Sequence, residues 1–225
     1  MTELDRTAAL INSLAGELAP VKRLMPPGRR ALLWLAGAAA AAFLFVLGLS
    51  AHLDFRNLAT TATRLAEPKL ALEVAGTLLT GVLAVIAAFQ LSLPDRSRHW
   101  ALLPLPALAL WIASSGYSCW RHWLAYGPDG WEAGESASCF VWIVSVSVPL
   151  AVPLVMMLRR ARPLAPLPVA LMAGLGVSAL AGVLLQFFHP FDVTFMDLGL
   201  HLAAVLIVAS VLGASAPRAL TPARP

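Results

Sequence analysis

The stretch LPVALMAGLGVSALAGVLLQFF, residues 167–188, runs for 22 residues without a charged side chain. A helix needs about 20 mostly apolar residues to cross a hydrocarbon layer about 30 Å thick. Inside lipid it also satisfies every backbone group within its own segment. Reading outward, five more stretches have the same character: about 31–50, 70–92, 101–118, 139–158 and 196–214. The pattern predicts an all-α membrane protein, a bundle of six transmembrane helices. Composition agrees, with 59% hydrophobic and 12% charged residues among 225, against about 25% charged in soluble domains. That composition excludes most soluble enzyme folds, and the absence of strand alternation excludes a β-barrel.

The basic residues set the orientation. If the N-terminus is cytoplasmic, that side carries Arg6, Lys22, Arg23, Arg29, Arg30, Arg96, Arg98, Arg159, Arg160, Arg162, Arg218 and Arg224. The other side carries only Arg56, Arg64, Lys69 and Arg121. Positive charge collects on the cytoplasmic side of short loops, so both termini are expected there. The net charge of +4 follows from that topology and calls for no nucleic-acid partner. The expected organisation is a cytoplasmic segment over residues 1–30, a membrane domain over 31–214 and a cytoplasmic tail over 215–225. The first apolar stretch lies behind about 30 polar-leaning residues, and Leu49-Ser50-Ala51 is a poor cleavage site. It is expected to stay as a helix.

Thr2 to Leu18 has helical periodicity, with Leu4, Ile11, Leu14 and Leu18 on one face and Leu10 at its edge. Thr2 and Asp5 resemble a capping box, and Pro20 ends the run. Such a helix is too short to span. Its apolar face must meet the membrane surface, the bundle or a partner protein, and the pattern leaves all three open. Pro26-Pro27 then leads to Arg29-Arg30 at the membrane boundary.

Within the spans, Ala170, Gly174, Ser178 and Gly182 recur every four residues, which permits close helix contact. Pro104 and Pro106 fall in the third stretch, and Pro149 and Pro153 in the fourth. Trp34, Trp100, Trp120, Trp123, Trp131 and Trp142 lie near expected helix ends, as interfacial anchors do. HExxH, P-loop, GxGxxG and GxSxG motifs are all missing. Glu73 is the one acidic residue bordering a span, which counts against proton-coupled transport. Nothing in the sequence requires a cofactor.

One constellation carries potential chemistry. Cys119 and Cys139 flank the loop expected outside, a compartment that permits disulfides. His122, His189 and His201 fall on the same side, with Asp192 and Asp197 in the last outer segment, and Asp197 and His201 are one helical turn apart. Cysteine with histidine is a ligand set for a soft or borderline metal ion. A structural disulfide among scattered loop histidines fits the spacing as well. A thiol-disulfide oxidoreductase would ordinarily carry a CxxC, which is lacking. A small metal-binding transport protein would want an ionisable pair at mid-membrane.

Several segments resemble the negative regulator of sigma F (NrsF) family. They are Leu14-Ala15-Gly16-Glu17-Leu18-Ala19-Pro20-Val21-Lys22-Arg23-Leu24, then Pro26-Pro27-Gly28-Arg29-Arg30-Ala31-Leu32. Cys139, Pro149-Leu150 and Leu158-Arg159-Arg160-Ala161-Arg162-Pro163 follow. Phe188-His189-Pro190-Phe191-Asp192-Val193-Thr194 and Asp197-Leu198-Gly199-Leu200-His201-Leu202 close the series. The resemblance implies a six-helix anti-sigma factor of the bacterial inner membrane. It would hold an extracytoplasmic-function (ECF) sigma factor through its cytoplasmic part and release it under heavy-metal or oxidative stress. Cys119 and Cys139 match the family's sensing cysteines, and His189 and His201 its histidines near the last helix. Where some relatives place a cysteine beside the His-Pro pair, this chain has Phe188 and Phe191.

Overall fold

The computed structural model describes residues 3–16, 23–50, 67–127, 133–186 and 194–220. Within them lie seven α-helices: α1 (Glu3–Gly16), α2 (Pro27–Ser50), α3 (Pro68–Leu91), α4 (Leu105–Tyr126), α5 (Ala133–Arg159), α6 (Pro166–Leu185) and α7 (Phe195–Leu220). A single 3₁₀ turn over Arg98–Leu102 precedes α4, and there is no strand among the described residues. The six helices from α2 to α7 are each long and apolar enough to cross a membrane.

Proline and polar caps set several of the boundaries. Pro27, Pro68 and Pro166 each open a helix, where the missing N–H costs nothing. Pro104 is the N-cap residue of α4 and Pro106 lies in its first turn, so neither kinks a helix interior. The third apolar span runs from Arg98, its α-helical part begins only at Leu105, and it continues eight residues beyond 118, to Tyr126. Thr194 and Asp197 form a reciprocal capping box at the start of α7. The Asp197 carboxylate accepts from the Thr194 N–H at 3.0 Å and hydroxyl at 2.8 Å, and Thr194 Oγ1 accepts from the Asp197 N–H at 3.2 Å. At its other end α7 runs to Leu220, so the expected tail from 215 begins as helix.

Two buried clusters fix the arrangement. One collects Ala31 and Trp34 of α2, Val85 and Phe89 of α3, Leu154 and Leu158 of α5, Val169 of α6, and Ala216 and Leu220 of α7. The other gathers Cys139 and Ile143 of α5, Ala181 and Leu185 of α6, and Ala204 of α7. Successive helices thus alternate in direction, and the start of α2 and the end of α7 lie at the same end of the bundle. Trp34 is buried there instead of anchoring at a surface, whereas Trp120 and Trp123 stack in the open, with ring centroids 5.5 Å apart.

Helix α6 is the central post, packed by α3, α5 and α7. Its small residues make that possible: Ala170, Gly174, Ser178 and Gly182 are all buried. A Cβ on Gly174 would lie 2.5 Å from the Cα of Ala209, so α7 could not approach with any larger residue there. Helix α1 behaves in the opposite way. None of its residues is buried, and Leu4, Leu10, Ile11 and Leu14 are all exposed. Of the three destinations open to its apolar face, the bundle is not the one used. Leu18, also expected on that face, lies outside the described residues.

Candidate functional site

Cys119 and Cys139 do not cap their helices. Cys119 lies seven residues before the end of α4, and Cys139 six residues after the start of α5. Both are 1% exposed. The reason is the helical continuation through Trp120-Arg121-His122-Trp123, polar residues that hydropathy reads as loop but that keep the i, i+4 ladder. Cys139 packs against Ile143, Ala181, Leu185 and Ala204. Cys119 follows Ser118, which faces α3.

That α3–α4 seam holds a group the sequence only hinted at. Glu73 is buried, and its carboxylate accepts a hydrogen bond from the Ser118 hydroxyl. Thr77 closes the same turn by donating to the Glu73 carbonyl at 2.7 Å. One turn along, Gly76 allows the contact: a Cβ there would sit 3.0 Å from the Trp111 backbone. The hint was an acidic residue six places into an apolar helix, which demands a polar partner. Nothing local marked Ser118 as that partner.

The histidines are placed as follows. His122 is half-buried, one turn beyond Cys119, with its ring 4.9 Å from that of Tyr126. His201 Nδ1 lies 2.6 Å from the Asp197 carbonyl oxygen, which can only accept, so the ring donates there. The Asp197 carboxylate is meanwhile engaged by Thr194. The expected Asp/His pair is therefore joined through the backbone, not side chain to side chain. A histidine donating Nδ1–H to a carbonyl presents Nε2 as its acceptor, the usual posture of a metal ligand. His201 also lines a small interior cavity with Thr80, Trp111 and Ser178. His189 and Asp192 lie outside the described residues. Among the described residues no three His, Cys, Asp or Glu side chains converge as a metal site.

At the other end of the bundle, Arg30 is not the simple boundary charge that its position suggested. It is 3% exposed, its guanidinium carbon lies 5.0 Å from the Phe89 ring centroid, and it donates to the Met157 carbonyl. Its Nη1 has no hydrogen-bond partner among the described residues. The first turn of α2, which follows the N-terminal segment, is thereby joined to the last turn of α5, the helix of Cys139.

No curated protein and no solved structure matches the chain. The family model for the negative regulator of sigma F matches residues 14–221, nearly the whole length, and the chain belongs to that family.

Proposed function

We propose that the chain is an inner-membrane anti-sigma factor that holds an ECF sigma factor through α1 and releases it when Cys119 and Cys139 meet a heavy metal or an oxidant. The carrying observation is α1: an amphipathic helix whose leucines and isoleucine stay exposed beside six helices long and apolar enough to cross a membrane. Exposed anchors at such spacing suit helix-in-groove recognition. Family membership makes a sigma factor the partner class; the ECF type, the cytoplasmic placement of both termini and the stimulus belong to this reading.

Burial of both cysteines adds a condition. A reagent or ion reaches them only if the α3–α4 seam or the α5–α6–α7 cluster opens, so sensing and rearrangement are one event. Packed helices shift as units between discrete arrangements, and the Arg30–Met157 contact gives α5 a direct hold on α2, the helix that follows the N-terminal segment in sequence. The deciding experiment is co-purification from membranes before and after metal or peroxide stress. A sigma factor bound before and lost after supports the reading; none bound in unstressed cells overturns it.

A further inference from the structure

Both tyrosines of the chain, Tyr117 and Tyr126, line one open pocket together with Lys69, Arg121, His122 and Ala125. The pocket lies where the first turn of α3 passes the last turns of α4. Tyr117, Arg121 and Ala125 follow one another at i, i+4 and i+8, and His122 and Tyr126 form the adjoining row. Among the described residues no carboxylate lines it. Among the described residues Lys69 and Arg121 are the only Lys or Arg at this end of the bundle, and both meet here.

We infer that this pocket binds the phosphate of an anionic phospholipid headgroup. Arg and Lys supply charge-assisted donors for phosphate oxygens, and tyrosine is enriched at headgroup depth, where an apolar ring and a polar hydroxyl both find their medium. Leu72, one turn inward from Lys69, and Leu110, two turns inward from Tyr117 on the same face, are exposed and offer a surface for the acyl chains. The same phosphate chemistry would also accept the free anion, but only a lipid uses that apolar strip. The inference does not depend on the sigma-factor reading.

The test uses the full chain in mild detergent and native mass spectrometry with phosphatidylglycerol, with phosphatidylcholine, and with phosphatidylglycerol plus inorganic phosphate. Phosphatidylglycerol should be retained preferentially. Lys69→Gln with Arg121→Gln should lower its apparent affinity about thirtyfold, on the scale of two cations near a lipid surface. Arg159→Gln, at the opposite end, should leave it unchanged. His122 is kept, so loss of lipid stays separable from loss of sensing. Equal retention of both lipids, or a double variant that binds as the parent does, overturns the site. Full displacement by millimolar phosphate overturns the lipid assignment in favour of the free anion.

Discussion

The guanidinium of Arg30 donates to the main-chain carbonyl of Met157, 127 positions away in sequence. That carbonyl is available because the Ala161 N–H turns to Leu158 at 3.0 Å as α5 ends. The last carbonyls of a helix need an outside donor, and a cation there also suits the helix dipole. One arginine thus caps α5 and fastens the start of α2 to it. Arg30→Ala should lower stability by about 3 kcal/mol, the loss of a charge-assisted hydrogen bond and a cation–aromatic contact. Arg30→Met keeps the volume and removes the partnerless Nη1, so its loss should be smaller. Thermal unfolding in detergent, followed by tryptophan fluorescence, ranks the two; equal or reversed losses would contradict the capping role.

The Glu73–Ser118 bond makes an asymmetric prediction. Ser118→Ala leaves a buried carboxylate without its donor and should cost about 2 kcal/mol, whereas Glu73→Gln keeps an acceptor for the hydroxyl and should cost less than half of that. A double-mutant cycle on the two positions should return a coupling well above the scatter expected for independent sites. Ser118→Ala should also speed alkylation of the neighbouring Cys119, since the seam that buries it is loosened. Unchanged labelling would separate the bond from thiol protection.

The count and order of spans were legible because lipid fit is a local, compositional property: any 20-residue window reveals it. The third boundary was not. Ser114, Ser115, Tyr117, Ser118, Arg121 and His122 lower hydropathy while leaving the helical hydrogen-bond ladder intact, so the span ended too early on paper and the cysteine seemed to sit at a helix end. The same limit applies to the site. Cys119, Cys139 and His201 stood out by residue type, but Glu73 with Ser118 and Arg30 with Met157 are long-range pairs with no periodic signature. Trp34 illustrates the reverse error: a tryptophan near a helix end reads as an anchor until the neighbouring helices bury it.

The charge split predicts which end faces outward, and burial of the native cysteines dictates how to test it. In a Cys119→Ser, Cys139→Ser background, Leu124→Cys near the end of α4 and Leu164→Cys between α5 and α6 both start from exposed positions. A membrane-impermeant maleimide on spheroplasts should label Leu124→Cys, and should label Leu164→Cys only after the inner membrane is permeabilised. The opposite pattern would invert the topology.

Helix α1 should act through its exposed face. Ile11→Asp with Leu14→Asp places two charges where a partner's apolar groove would have to desolvate them, a penalty of several kcal/mol and enough to abolish most helix-in-groove complexes. Neither residue touches the bundle core, so membrane levels should stay normal while the sigma-dependent reporter turns on without stress. Deleting residues 2–25 should do the same. Continued repression at normal protein levels would remove α1 from the binding role.

Metal ligation and oxidation make different demands on the same cysteines. A metal draws on imidazole as well as thiolate, whereas a disulfide needs only two sulfurs at a Cα separation of about 4.4–6.8 Å. The cysteines sit on α4, a helix that packs on α3, and on α5, which packs on α6 and α7, so joining them is expected to shift helices against one another. Cys119→Ser or Cys139→Ser should therefore block stress-induced release while leaving repression intact. If a metal is the signal, His201→Ala and His189→Ala should impair the response too, and His201→Ala should do so without unfolding the start of α7, because the Thr194–Asp197 box that opens the helix does not use the imidazole. If oxidation is the signal, both histidine variants should respond as the parent does. A reporter assay over a panel of metals and peroxides decides between them. Full induction in the double cysteine variant by every agent would return the cysteines to core packing and leave the stimulus to act elsewhere on the bundle.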